Sequence, residues 1–128
     1  MYEEVFMKIT DMDVYCVADN STLKDVVEKF ENNKERVVFV INDIKKIIGV
    51  VSQGDIIRFL ANGGEIYSET VKIMTSSFFY LSDYNLNRAY EIFRRKKITA
   101  LPVIDNDFKL LDIITLDNIY DFLEKKEC

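Results

Sequence analysis

The stretch Gly49-Val50-Val51-Ser52-Gln53-Gly54-Asp55 decides the fold, because an apolar run ends there in a hydroxyl and, three residues later, in a carboxylate. The branched residues predict a β-strand, the glycine permits a tight turn, and the apolar spacing that follows predicts a helix. The same order of residue types returns 63 residues further along, in Asp112-Ile113-Ile114-Thr115-Leu116-Asp117-Asn118. The chain is therefore a tandem repeat, and a repeat determines the fold before any other feature.

A shift of 63 residues without a gap also aligns apolar positions outside this motif, including Leu23 with Leu86, Phe30 with Phe93, and Val40 with Val103. Each copy has the order β-α-β-β-α. Because neither half covers its own strands fully, we expect an α/β fold in which two such repeats pack about a pseudo-twofold axis. The expected organisation is a lead-in segment over 1–14, repeat one over 15–64, a linker over 65–77 and repeat two over 78–128.

The periodicity of each segment places the elements. A helix is expected where apolar residues recur at i, i+3, i+4 and i+7, and a strand where branched residues run together. In repeat one these are strands Tyr15–Ala18, Val37–Ile41 and Ile47–Ser52, with helices from Leu23 to about Asn32 and from Gln53 to about Ala61. In repeat two they are strands Phe78–Leu81, Ala100–Ile104 and Leu110–Thr115, with helices from Leu86 and from Asn118 to about Glu124.

Two further segments are less regular. The spacing of apolar residues from Tyr2 to Ile9 predicts a short amphipathic helix before the repeats. Pro102 has no amide donor, so within its strand it indicates an edge position or a ladder that has already ended.

Composition excludes several classes of protein. A net charge of −5 argues against nucleic acid, since phosphate-backbone binders need clustered cations. The absence of histidine removes the commonest general base and metal ligand, so neither an enzyme nor a metal site is expected.

Cys16 and Cys128 are too few and too far apart for a disulfide framework, and we expect free thiols. No apolar run approaches a membrane span, and the start does not resemble a signal peptide, so a cytoplasmic location without membrane association is predicted.

The chemistry of the first motif is that of an anion and diol site. Amide donors at the start of a helix favour an anion, Asp55 can accept two hydrogen bonds from a ribose diol, and Ser52 can donate to a phosphate. Arg58, one turn on, is either a phosphate partner or a solvated helical arginine. The alternative is structural, because Ser-x-x-Asp also approximates a capping box that stabilises a helix by about 1 kcal/mol.

These patterns resemble the tandem CBS-domain pair, or Bateman module. The resemblance is carried by Arg36–Asn42, the G-x-x-S-x-x-D run Gly49–Asp55, and Leu101–Asp105. It implies a regulatory sensor that binds an adenine nucleotide (AMP, ADP or ATP) or an adenosyl ligand in clefts between the repeats. The ligand-binding residues expected on this basis are Cys16, Val38, Ser52, Asp55, Arg58, Thr115 and Asn118.

The second copy departs from the pattern. Asp112 replaces the glycine and Asn118 replaces the carboxylate, while Thr115 keeps the hydroxyl. A carboxylate near an incoming phosphate is repulsive, so we expect the first cleft to be the better site.

Two classes of function stay open. The chain is either a ligand sensor that signals to a partner or a ligand-free dimerisation scaffold. Apolar residues on two faces of each last helix (Ile56-Ile57 with Phe59-Leu60, and Ile119-Tyr120 with Phe122-Leu123) favour a homodimer. The resemblance extends to CBS pairs attached to sugar nucleotidyltransferases, so an enzyme of that kind is the expected partner.

Overall fold

The structure is a computed structural model that describes residues 12–127, with side chains described as far as Lys125. The helix expected around Tyr2 to Ile9 and the thiol of Cys128 lie outside this range. The chain divides into two compact units, the first ending at Phe78 and the second beginning at Phe79. Among the described residues, no helix is both long enough and apolar enough to cross a membrane.

Within the described residues 12–78, the strands and helices of the first unit follow the expected order. They are β1 (Cys16–Ala18), α1 (Leu23–Phe30), β2 (Val37–Ile41), β3 (Ile47–Ser52) and α2 (Gln53–Ala61), followed by a 3₁₀ turn (Thr70–Lys72). The strands form one sheet in the order β1-β2-β3, with β1 parallel and β3 antiparallel to β2. The consecutive residues Val38, Phe39 and Val40 of β2 are all buried, so both faces of this strand are covered, as an unbroken apolar strand requires.

The core of the first unit lies between this sheet and the two helices. Leu23 and Val26 are fully buried on α1, and Ile56 faces inward from α2. Residues 65–77, which the sequence places in a linker, pack on the same core through Ile66 and Met74. The backbone of this segment also bonds to the unit, since the Leu23 amide donates to the Ser68 carbonyl at 3.0 Å.

The second unit repeats the architecture with one strand fewer. It consists of α3 (Leu86–Lys96), β4 (Ala100–Ile104), β5 (Leu110–Thr115) and α4 (Leu116–Glu127), with β4 and β5 antiparallel in a two-stranded sheet. The last helix is longer than expected, since it begins at Leu116. Its inner face packs Ile119 against a separate core that includes Phe93 and Leu101.

The strand expected at Phe78–Leu81 is wrong, because only Leu81 pairs with β4, through a single parallel bridge to Val103. Pro102 gives the physical reason. Phe39 of the first unit corresponds to Pro102, since it lies 63 residues before it. The Phe39 amide donates to the Tyr15 carbonyl and so extends the β1 ladder. Pro102 has no amide to donate, so the corresponding ladder stops at Leu81.

The β2–β3 and β4–β5 hairpins are built alike. Asn42 and Asp105 each accept backbone amides two and four residues on, from Ile44 and Lys46 and from Asp107 and Lys109 respectively. The backbone is left-handed at Lys45 in the first turn and at Phe108 in the second, with φ of 70° and 64°. These two residues are 63 positions apart and so correspond in the repeat. Asn and Asp side chains commonly form turns in this way, because they accept hydrogen bonds from nearby backbone amides.

Asn33 joins the end of α1 to the sheet. Its side chain is 2% exposed; its amide group donates to the carbonyls of Val14 and Val37, and its carbonyl oxygen accepts the Arg36 amide. Each of these backbone groups would lose a partner if the side chain were removed.

We expect Asn33→Ala to lower the free energy of unfolding by about 2 kcal/mol, because it removes the hydrogen bonds from a buried side chain to the part-buried carbonyls of Val14 and Val37. The measurement is urea denaturation monitored by circular dichroism. Asn32→Ala is the matched control, since Asn32 is the exposed neighbour. Equal effects of the two substitutions would contradict the assigned role of Asn33.

Candidate functional site

The Ser52–Asp55 motif lies where β3 ends and α2 begins. One carboxylate oxygen of Asp55, Oδ2, accepts the Ser52 amide at 2.8 Å and the Ser52 hydroxyl at 3.0 Å. The Asp55 amide in turn points to Ser52 Oγ at 3.3 Å. This is the reciprocal capping box that the sequence analysis sets against ligand binding. The structural role is therefore present, and it engages only one of the two carboxylate oxygens.

The other oxygen, Asp55 Oδ1, accepts Arg58 Nη2 at 2.7 Å. The two side chains are a turn apart on one helix face and differ in burial, with Arg58 70% exposed and Asp55 20% exposed. The start of α2 therefore carries a half-buried carboxylate, a hydroxyl and the positive charge of a long, exposed arginine side chain.

Gly49 is needed for packing as well as for the motif. A Cβ at this position would lie 2.5 Å from the Met74 sulfur and 2.8 Å from its Cγ. Met74 belongs to the segment after α2 and packs on the first core. The glycine of the G-x-x-S-x-x-D pattern therefore lets this segment cross closely over β3.

The second motif forms the same cap with an amide in place of the carboxylate. Asn118 Oδ1 accepts the Thr115 amide at 2.8 Å, and the Asn118 amide points to Thr115 Oγ1 at 3.3 Å. The local geometry is thus preserved while the negative charge is lost. Asp112, at the position of Gly49, lies half-buried, and its carboxylate accepts the Ile113 amide.

One difference between the motifs was missed by the sequence reasoning. The position of Arg58 is occupied, 63 residues on, by Asp121, which is exposed on α4. Extending the gapless alignment by three residues beyond Asn118 reveals it. The first motif therefore ends in a cation and the second in another carboxylate.

Cys16 and Val38, the other two expected site residues, lie on β1 and β2. Val38 is fully buried in the first core. Cys16 is a half-buried free thiol. Burial raises the pKa of the Cys16 thiol to about 12, and the Asp13 carboxylate adds to the rise.

A surface cavity beside β1 was not anticipated from the sequence. Its volume is about 660 Å³, and it lies at the end of the sheet from which α1 starts. Its charged and polar lining includes Asp13, Cys16, Asp19, Asp25, Lys29 and Lys45. Within residues 12–127, no group of three histidine, cysteine or acidic side chains is arranged to hold a metal ion.

Comparison with known proteins adds three findings. The family model described as "CBS domain" matches the chain twice, over residues 5–62 and 70–125. The arabinose 5-phosphate isomerase GutQ of Escherichia coli O6:H1 is 31% identical over 105 residues, which is 81% of this chain and 33% of that protein. The first relatives found are all longer than this chain, which spans between 22% and 38% of their length.

Solved structures share the fold at low sequence identity. A CBS domain protein from Pyrobaculum aerophilum, complexed with AMP, has a TM-score of 0.70 at 19% identity, covering 88% of this chain and 91% of that one. A CBS domain pair in complex with 5-methylthioadenosine and S-adenosyl-L-methionine has a TM-score of 0.72 at 17% identity, covering 87% and 88%.

The raised pKa of Cys16 predicts a thiol that stays protonated in the native protein at neutral and mildly alkaline pH. In a Cys128→Ser background, we expect its reaction with a thiol reagent to be slow and to keep rising about tenfold per pH unit between pH 8 and 10, because the reactive thiolate is a small fraction of the thiol throughout this range. In urea the reaction should be faster, and its rate should level off above about pH 9, the pKa of an ordinary cysteine. A native rate that follows the unfolded one would contradict this. Because the pKa of Cys16 is higher in the native state than in the unfolded chain, proton binding to this thiol stabilises the native state. This contribution to the free energy of unfolding is fully present below pH 9 and is lost as pH rises toward 12.

Proposed function

The chain belongs to the CBS-domain family as a tandem pair of CBS domains, and on that premise we propose that it is a regulatory module that binds an adenine nucleotide at its first motif. Asp55 accepts the ribose hydroxyls, and Ser52 lies near the phosphate. The bound state is signalled to a partner. The predicted partner, a sugar nucleotidyltransferase, stays a prediction.

The observation that carries this proposal is the arrangement of Asp55, Ser52 and Arg58 at the start of α2. Asp55 caps the helix through Oδ2, and among the described residues its Oδ1 pairs with the exposed side chain of Arg58. A ribose diol can replace that side chain. The ligands named for the two solved structures of like fold, AMP and the adenosyl compounds, supply the chemical class.

A second function, a dimerisation scaffold without a ligand, is favoured by a different observation. Asn118 preserves the cap without the carboxylate, so the motif serves the fold even where a ribose contact is weakened. Apolar side chains also stay exposed on the last helix of each unit, with Ile57 59% and Tyr120 56% exposed. These side chains suit a second copy of the chain.

Asp55→Asn separates the two roles of the carboxylate. The second motif indicates that an amide satisfies the cap, so this variant should keep most of its stability and lose the response to AMP. With wild-type protein, ligand at a hundredfold excess over Kd should stabilise the native state by about 2.7 kcal/mol. The measurement is the thermal shift caused by AMP in wild type, Asp55→Asn and Asn118→Ala. We expect Asn118→Ala to retain the shift.

The proposal fails if Asp55→Asn lowers stability but leaves the AMP response intact, because Asp55 would then act only as a cap. It also fails if wild type shows no shift with AMP, ADP or ATP. If Asn118→Ala alone lost the thermal shift caused by AMP, the second motif would be the better site and the expected ranking of the two motifs would be reversed.

The proposed homodimer is tested by substituting a charged residue at an exposed apolar position. Phe59 is unsuitable, because it packs on the first core and its ring lies where a Cβ on Gly64 would stand. Ile57→Lys should shift the protein toward monomer in sedimentation, since a charge buried in an interface is costly. Val27→Lys on α1, another exposed apolar helix position, is the control and should leave the association unchanged. A wild-type monomer at high micromolar concentration would contradict the homodimer.

A further inference from the structure

We propose that Arg58 is a charge-dependent switch that selects phosphate-bearing ligands at the first motif. It pairs with Asp55 in this structure and transfers to the ligand phosphate in the complex. The inference rests on the proposed function and adds to it a ligand preference, for adenine nucleotides over adenosyl ligands that lack a phosphate.

The hydrogen bonds of Asp55 favour such an exchange. Oδ2 is occupied by two donors from Ser52, which belong to the cap. Oδ1 is the oxygen that a ribose hydroxyl can use, and it accepts Arg58 Nη2 at 2.7 Å. Oδ1 can accept two hydrogen bonds, so a diol that donates both hydroxyls to it competes with Arg58 for Asp55. A ligand that offers Arg58 no other anion bears the cost of displacing it.

Displacing Arg58 costs little. Its side chain is 70% exposed, and exposed ion pairs contribute about 0–1 kcal/mol. A guanidinium that leaves a carboxylate for a phosphate exchanges one negatively charged acceptor for another. The net cost of the exchange is therefore small for a nucleotide and larger for a nucleoside.

The helix end offers few other partners for a phosphate. The Gln53 amide donates to the Arg36 carbonyl at 3.0 Å, and the amides of Ser52 and Asp55 are used in the cap. Three donors at this end of α2 are thus already engaged, so the amide cradle expected from the sequence is weaker than a free helix terminus. A phosphate bound here depends on a cation.

Arg58 is already positioned at this end of the helix. A Cβ on Gly54 would lie 3.2 Å from Arg58 Nη1, so the guanidinium lies against the glycine in the first turn. The second motif has no such group, because Asp121 stands in the position of Arg58 and Asp112 in that of Gly49. Phosphate selection is therefore a property of the first motif alone.

The test compares AMP and adenosine by titration calorimetry on wild type and Arg58→Gln. Arg58→Gln should weaken AMP binding about fivefold to tenfold, because one charge-assisted contact is lost. The same substitution should tighten adenosine binding about twofold, because Asp55 no longer has a competing partner. The affinity for AMP should also depend less on salt in the variant than in wild type.

Arg94→Gln is the matched control. Arg94 pairs with Glu91 three residues earlier, at 3.4 Å, with a side chain 61% exposed, so it repeats the helical ion pair on α3, outside the first motif. It should bind both ligands as wild type does.

Opposite changes for AMP and adenosine support the switch. Equal losses for both ligands would overturn it, because Arg58 would then act on the nucleoside or on the fold, and so would unchanged affinities for both. In those cases AMP still binds wild type and the proposed function stands. If wild type binds neither ligand, the switch and the proposed function fail together.

Discussion

The reciprocal cap between Ser52 and Asp55 is the interaction on which the first unit depends. It ends β3 and starts α2 within one residue, which fixes the direction in which the helix leaves the sheet and so the face that buries Ile56. The same bonds place a carboxylate at a helix start with one oxygen engaged and one at the surface. Folding and binding chemistry are thus built from the same two side chains, and the cap is retained by Asn118 where the carboxylate is not.

Single residues account for the differences between the repeats. Pro102 removes one amide and with it a strand. Asp112 and Asp121 replace a glycine and an arginine. The first replacement adds a negative charge and the second reverses a positive one, so together they make the second motif more negative by three unit charges. The hairpins, by contrast, are alike down to the left-handed residues, because their geometry depends on a side-chain acceptor that both repeats keep.

The sequence predicts the repeat, the order of elements and the family, because hydrophobic periodicity and duplicated spacing are local signals. The strand at Phe78–Leu81 could not be judged by its own residues, since its pairing depends on the missing amide of Pro102 in another strand. The site is predictable only in part. The motif gives Ser52 and Asp55, but the bond from Arg58 to Asp55 Oδ1 and the amides already used at the start of α2 follow from side-chain geometry. The exposure of Ile57 beside the partly buried Phe59 likewise depends on how α2 packs.

The central claim is that the surface-facing oxygen of Asp55 is a ribose acceptor. A crystal structure of the chain grown with AMP tests it most directly. The account predicts nucleotide at the start of α2, with a ribose hydroxyl within hydrogen-bond distance of Asp55 Oδ1 and the Ser52–Asp55 cap unchanged. Nucleotide bound elsewhere, or Asp55 still paired only with Ser52 and Arg58 at saturating AMP, would contradict it.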